Sequence, residues 1–264
     1  MHRLRVLSAF LLLLPFLLLV QFGSSFQFNL LLSLAILLCA WEFAWLCPVG
    51  AEPGMAALVA VGSLAWQWAM VLGGAPTIIG PLIAAGMLVR ALISREDFRT
   101  GVLRAAWALL GVVYAGGLLG YGGVLREGPD GRQLVYFVAL TTWAGDIGAY
   151  YAGSRLGRRP LAPRISPKKT VEGALGGIAA TVLVAGLGSQ GIWPRFPLVT
   201  ALWVGAVVAT IGMLGDLAES AVKRAAGVKD SGAIIPGHGG VLDRLDSVIF
   251  SCPALYALVW MGWV

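Results

Sequence analysis

Nine apolar stretches, each close to the length of a bilayer-crossing helix, dominate this sequence. A helix needs about 20 apolar residues to span the hydrocarbon core. Windows of that kind fall at about 7–22, 28–47, 55–73, 76–93, 104–121, 133–152, 174–190, 198–217 and 247–263. The breaks carry turn residues or charge: Pro48 to Pro53, Gly73 to Pro76, Ser94 to Arg104, Gly122 to Arg132 and Trp193 to Pro197. Only 12% of the 264 residues are charged and the mean hydropathy is +0.84, where an ordinary soluble domain carries roughly 25% charge. So little polar surface excludes a soluble globule, and so much apolar surface excludes disorder. The 36 glycines follow no G-X-Y period, which excludes collagen. The expected fold is an all-α polytopic integral membrane protein with about nine transmembrane helices.

The first stretch follows Arg3 and Arg5 and contains Pro15. No small-x-small cleavage site follows it at Gly23-Ser-Ser-Phe26, so it reads as a membrane helix and not as a removed signal. Cys39, Cys47 and Cys252 lie in apolar runs at unrelated spacings, which gives neither a disulfide framework nor a zinc site. They read as packing residues.

The net charge of +6 is read as topology before it is read as nucleic-acid binding. With the N-terminus in the cytoplasm and nine alternating spans, all but Arg126, Arg132 and Arg195 of the 19 Lys and Arg fall on the cytoplasmic side, as the positive-inside rule requires. The same alternation puts Asp146, Asp216, Asp243 and Asp246 near the cytoplasmic face. Acids from distant parts of a chain at one membrane depth mark a candidate site, because a carboxylate near hydrocarbon costs several kcal/mol. Two regions follow. Residues 1–130 hold five spans and serve as a scaffold, a dimer surface or a lipid-facing part. Residues 131–264 carry the chemistry, with cytoplasmic loops at 153–173 and 218–246.

In the first loop Lys168 and Lys169 stand just before a helix start, with Thr170 as its N-cap. Ammonium groups beside a helix N-terminus suit phosphate. Arg155, Arg158 and Arg159 read instead as a positive-inside cluster facing anionic lipid heads, and Gly173, Gly176 and Gly177 as sites of close helix packing. In the second loop Asp216, Ser220, Lys223 and Arg224 have helical spacing, and Asp243 and Asp246 are one turn apart on the next helix. Paired carboxylates interleaved with Lys and Arg suit a Mg²⁺–polyphosphate complex. The turn Pro236-Gly-His-Gly-Gly240 offers backbone N–H groups as an anion nest. His238 in such a turn reads as a hydrogen-bonding fixture before it reads as a general base.

Ser220-x-x-Lys-Arg, Lys229-Asp-x-Gly and Pro-x-His-Gly-Gly-x-x-Asp-Arg-x-Asp246 together resemble the signature of the phosphatidate cytidylyltransferases (CDP-diacylglycerol synthases). Ser166-Pro-Lys-Lys-Thr-x-Glu-Gly173 and Asp146-x-Gly-Ala-Tyr150 are similar to that family as well. The first 140 residues match it only in hydropathy. The resemblance implies transfer of a cytidylyl group from CTP to phosphatidic acid with Mg²⁺, and allows a monovalent cation such as K⁺ beside it. It implies a multi-pass protein of the lipid bilayer that forms a homodimer. It names Asp216, Asp243 and Asp246 as metal ligands with Ser220 nearby. Lys168, Lys169, Lys223, Arg224, Lys229 and Arg244 become phosphate and phosphatidate contacts, His238, Gly239 and Gly240 line the substrate, and Asp146, Glu172 and Asp230 are supporting acids. The lack of a transit sequence points to a bacterial inner membrane. A CDP-alcohol phosphotransferase would show D-G-x-x-A-R followed by G-x-x-x-D-x-x-x-D, which is missing here. A transporter would show inverted repeats and acids at the midplane; no repeat is found.

Overall fold

The computed structural model describes residues 13–93, 96–194, 196–235 and 239–264. Arg3, Arg5, Arg95, Arg195 and His238 lie outside them. Over the described residues each of the nine apolar windows coincides with a helix, residues 7–12 of the first lying outside them: α1 (Leu13–Phe22), α2 (Ser25–Trp45), α3 (Pro53–Val71), α4 (Pro76–Ile93), α5 (Phe98–Glu127), α6 (Gly131–Leu156), α7 (Val171–Gly188), α8 (Leu198–Ala225) and α9 (Leu242–Trp260). Six of these (α2, α3, α4, α5, α7 and α8) are long and apolar enough to cross a membrane. Both α6, with Arg132, Asp146 and Arg155, and α9, with Asp243, Arg244 and Asp246, carry more charge. The architecture is all-α and polytopic, apart from a small hairpin of β1 (Pro160–Ala162) and β2 (Ser166–Thr170) between α6 and α7.

The helix starts follow local chemistry. Ser24 and Gln27 form a capping box on α2, Pro53 opens α3, and Asp97 accepts the Thr100 N–H at 3.0 Å to cap α5. Two helices outrun their apolar windows. α8 continues to Ala225 through Glu219, Ser220, Lys223 and Arg224, all compatible with helix once the lipid ends. α5 continues to Glu127 with a π-helical segment at Val112–Leu118. Its glycines do not break it, because a backbone away from water has no partner but itself.

Backbone contacts divide the chain into two compact units. One comprises the residues up to Glu127 together with Val222–Leu245. Its centre is Phe43, fully buried, stacked on Trp107 and Tyr114 at centroid distances of 5.1 and 5.2 Å. The π-helical segment lies directly on α3: a Cβ on Gly116 would come within 2.5 Å of the Ser63 backbone. Several buried polar groups here are satisfied internally. Gln67 donates to the Asn29 carbonyl at 3.2 Å and accepts from Ser33 at 2.9 Å, while Asn29 donates to Glu127 at 2.9 Å. At the ends of α3, α4 and α5, Arg90 and Arg104 are interleaved with Glu52 and Glu96.

The other unit comprises Gly128–Ala221 and Asp246–Val264. α6 and α7 meet along a seam of small residues, where Gly148 faces Ala180 and the Gly176 carbonyl, and the Thr181 hydroxyl donates to the Thr141 carbonyl at 3.0 Å. Small residues allow backbones to approach where no hydrophobic effect drives association. Gly173, Gly176 and Gly177 all lie in this seam, as their reading as packing residues expected. Buried Trp193 closes one end, donating its indole N–H to the Ala185 carbonyl at 2.9 Å and meeting Phe137 edge-on at 5.2 Å.

A methyl group at Gly148 would stand 2.5 Å from the Ala180 Cβ and 2.7 Å from the Gly176 carbonyl. Gly148→Ala must therefore part α6 from α7, and a cost of about 1–3 kcal/mol is expected in thermal unfolding of the purified protein in detergent. Gly86→Ala, with nothing within 4 Å of its new methyl, should be neutral or stabilising by up to about 1 kcal/mol.

Candidate active site

α8 carries Asp216 and Glu219 three residues apart, on one helix face, and α9 carries Asp246. Oxygens of these three carboxylates lie within 4.8 Å of one another. Their approach depends on Gly215: a Cβ there would stand 2.7 Å from the Asp246 carbonyl oxygen and 2.9 Å from Phe250. Gly212, one turn earlier, faces Ser247 and Ser251 in the same way. Glu219 is fully buried. Three carboxylates this close repel one another, and a nearby cation offsets that repulsion. One cation is present, because the Lys169 ammonium lies 2.5 Å from Asp216 Oδ1.

Lys169 reaches Asp216 from the β1–β2 hairpin. Thr170 caps α7, its hydroxyl accepting the Gly173 N–H at 3.1 Å, as its position before the helix predicted. Glu172, in the first turn of α7, accepts the N–H groups of Arg158 and Arg159 at 2.9 and 3.2 Å and so ties the entry of the hairpin to the helix. This is the supporting part the structure gives Glu172.

These elements line a cleft of about 460 Å³. Asp146, Lys168, Lys169 and Asp216 belong to its lining, and so do the hydroxyl residues Thr141, Thr142, Thr181, Ser247 and Ser251. The remainder is Gly, Ala and apolar side chains such as Ile178, Val208 and Met213, with Tyr150, Ser154 and Thr170. Along α7 and α8 the lining runs from Thr170 to Thr181 and from Asp216 back to Val208. The lysines and Asp216 therefore mark one end, and aliphatic and hydroxyl groups, with Asp146 among them, the body. A cleft of that character suits a ligand with an anionic head and an apolar remainder.

The segment 222–245 forms a second polar cluster within the other unit. The Lys223 ammonium lies 2.6 Å from Asp243 Oδ1, and Asp243 Oδ2 accepts from the Ser231 N–H, the Ser231 hydroxyl and the Gly240 N–H at 3.0, 3.0 and 2.8 Å. Burial pushes the Asp243 carboxyl up, but the Lys223 hydrogen bond and the two backbone N–H groups outweigh it and hold the group below its ordinary value. Gly239 has φ +82°, a left-handed conformation in which a side chain would be strained. It pairs with Ile235, whose N–H donates to the Gly239 carbonyl at 3.0 Å. Arg224 donates to the Val228 carbonyl at 2.8 Å, and Lys229, Asp230 and Arg244 are exposed.

Of the residues read from sequence, the structure brings Asp216 and Asp246 together, with Lys169 on Asp216 and Lys168 and Asp146 in the same cleft. Ser220, one turn past Asp216 on α8, is buried. Asp243, read as a third metal ligand, has both its oxygens engaged by Lys223, Ser231 and Gly240. The third carboxylate of the group is Glu219. Its signal was present in the sequence as an i, i+3 partner of Asp216.

A family model described as the cytidylyltransferase family matches residues 3–261. The chain belongs to that family. A protein named phosphatidate cytidylyltransferase from Pseudomonas aeruginosa is 35% identical over 243 residues, 89% of either chain. Proteins of the same name from Synechocystis sp. and Bacillus subtilis are 48% and 44% identical over 132 and 129 residues, covering 44% and 48% of those relatives. With these bacterial relatives and its apolar helices, this cytidylyltransferase-family chain is a multi-pass membrane protein.

Because Asp243 is held below its ordinary 3.8, it stabilises the fold fully above that value, and the contribution is lost as pH falls through its lower folded value. Asp243→Asn should remove this part of the acid sensitivity. The expected result is a wild-type unfolding midpoint that drops more steeply than the variant's between about pH 5 and pH 3; parallel profiles would refute it.

Proposed function

We propose that this protein transfers the cytidylyl group of CTP to phosphatidic acid, forming CDP-diacylglycerol and pyrophosphate for phospholipid synthesis. One observation carries the reading for this chain: two lysines and Asp216, one of three gathered carboxylates, mark one end of a cleft whose body is mostly apolar and hydroxyl-lined. That pairs a place for polyphosphate with a place for a lipid.

The phosphatidate phosphate is a monoester whose second pKa is about 6, so it is largely dianionic at neutral pH. One of its oxygens attacks the α-phosphorus of CTP. The new P–O bond forms as the bond from the α-phosphorus to the bridging oxygen breaks, and pyrophosphate leaves with the electron pair. No side chain has to remove a proton, so His238 is not needed as a base. The barrier is the approach of two polyanions and the charge gathering on the leaving group, which positioned cations lower. Lys168 and Lys169 supply that charge at the cleft. Lys223, Arg224, Lys229 and Arg244 are proposed as further phosphate contacts.

The donor set of the carboxylate group is all oxygen, which fits Mg²⁺. Asp216, Glu219 and Asp246 would hold it, with Glu219 in the place first read for Asp243. Bound there, the ion would neutralise phosphate charge as a Lewis acid. The ion pair of Lys169 with Asp216 supports a cation at this carboxylate. K⁺ beside Mg²⁺, a homodimer, a cytoplasmic N-terminus and a bacterial inner membrane complete the proposal.

Purified protein incubated with labelled CTP, phosphatidic acid and Mg²⁺ should form a lipid-soluble CDP product; folded protein in active lipid giving none would sink the assignment. Asp246→Asn should abolish turnover without unfolding the protein. Glu219→Gln should weaken binding of Mn²⁺, read by paramagnetic resonance as a stand-in for Mg²⁺, by about tenfold or more. His238→Ala should keep turnover at neutral pH.

A further inference from the structure

Glu42 lies on α2, in a stretch that carries no motif, and is only 3% exposed. Its carboxylate accepts three hydrogen bonds from a segment some 200 residues away. Oε2 accepts the Leu242 N–H at 2.8 Å and the Ser231 hydroxyl at 3.1 Å, and Oε1 accepts the Val241 N–H at 3.0 Å. Two glycines wall the carboxylate. A Cβ on Gly232 would stand 2.6 Å from Oε1, and one on Gly240 would collide with both carboxylate oxygens and with Ser231. The Ser231 hydroxyl is also 3.0 Å from Asp243 Oδ2. Its single hydrogen can serve one carboxylate at a time, so it links the two acids.

We propose that Glu42 is a positioning residue for the signature segment 231–243. It acts as an internal anion at the start of α9, just after the glycine-rich turn. The N–H groups of Ser231 and Gly240 go to Asp243, and those of Val241 and Leu242 go to Glu42. Four amides are thereby occupied by the chain's own carboxylates and are not open to a phosphate. Leu242 opens α9, whose first N–H groups have no partner within the helix. Glu42 supplies one from a distant helix, in place of a local cap. The start of α9 and the Lys223–Asp243 pair are thus referenced to α2, which makes part of the N-terminal region a component of the active segment.

The kinetic part of this inference rests on the cytidylyl-transfer reading; the positioning part does not. The test compares wild-type protein with Glu42→Gln in lipid nanodiscs by hydrogen exchange and by steady-state kinetics. The Gln amide must present a donor to at least one of the three donors that Glu42 now accepts. Exchange at the amides of 240–243 should rise about tenfold or more, with the α6 and α7 amides unchanged. The KM for CTP should rise about fivefold or more, whereas a variant that merely misfolded in part would lower the apparent kcat at an unchanged KM. Ser231→Ala, which removes only the linking hydroxyl, should show the same local effect at smaller size and serves if Glu42→Gln does not fold. Unchanged exchange at 240–243 in a folded variant overturns the proposal, and so does loosening spread over the whole chain with KM unchanged. If wild-type protein transfers no cytidylyl group while the local exchange effect is present, the functional reading fails and the positioning role stands.

Discussion

At Gly215 the backbone of α8 rests against the carbonyl of Asp246 on α9, at a distance that no side chain would permit. The carboxylate group depends on this contact. Without it, Asp216 and Glu219 could not bring their oxygens within 4.8 Å of those of Asp246. Gly212 repeats the approach one turn away against Ser247 and Ser251. In an apolar surrounding helices associate through packing of this kind, so the same small residues that join the helices also set the spacing of the acids. An alanine at Gly215 would part the acids as it parted the helices.

The buried acids fall into two groups by what answers their charge. Glu42 and Asp243 are met by backbone N–H groups, a shared hydroxyl and, for Asp243, a lysine. They are fixtures whose oxygens are committed. Asp216, Glu219 and Asp246 are gathered on one another, with Lys169 as a cation at the edge of the group. Electrostatics makes that arrangement costly unless something positive is drawn in, and the proposed metal–polyphosphate complex would supply it. The contrast explains why Asp243 and Asp246, neighbours in a single motif, are given different work.

Much of the fold was legible in the sequence because a bilayer leaves the backbone few options. Every apolar window became a helix, Thr170 became an N-cap, and the glycines at 173, 176 and 177 became a packing seam. The windows were shorter than the helices where polarity and helix propensity part company, as in α8 beyond Asp216. The β1–β2 hairpin was not legible, since Ser166-Pro-Lys-Lys-Thr170 has no alternation to mark a strand. At the site, Asp216, Asp246, Lys168 and Lys169 were readable from residue type and position. Glu219 was passed over for Ser220, Lys223 and Arg224 on the same helix, and Glu42 had no local signal at all.

By itself the sequence determined that the chain is a helical membrane protein, and through its spaced motif that it belongs with the cytidylyltransferases. Both follow from local facts: the length of apolar runs, and the order of residues along the chain. Only the tertiary structure decided which carboxylates share a site and which are already answered. That depends on where helix backbones touch, at Gly215 for the acidic group and around Gly232 and Gly240 for Glu42. Contacts between residues nearly 200 positions apart leave no trace in any window of the sequence.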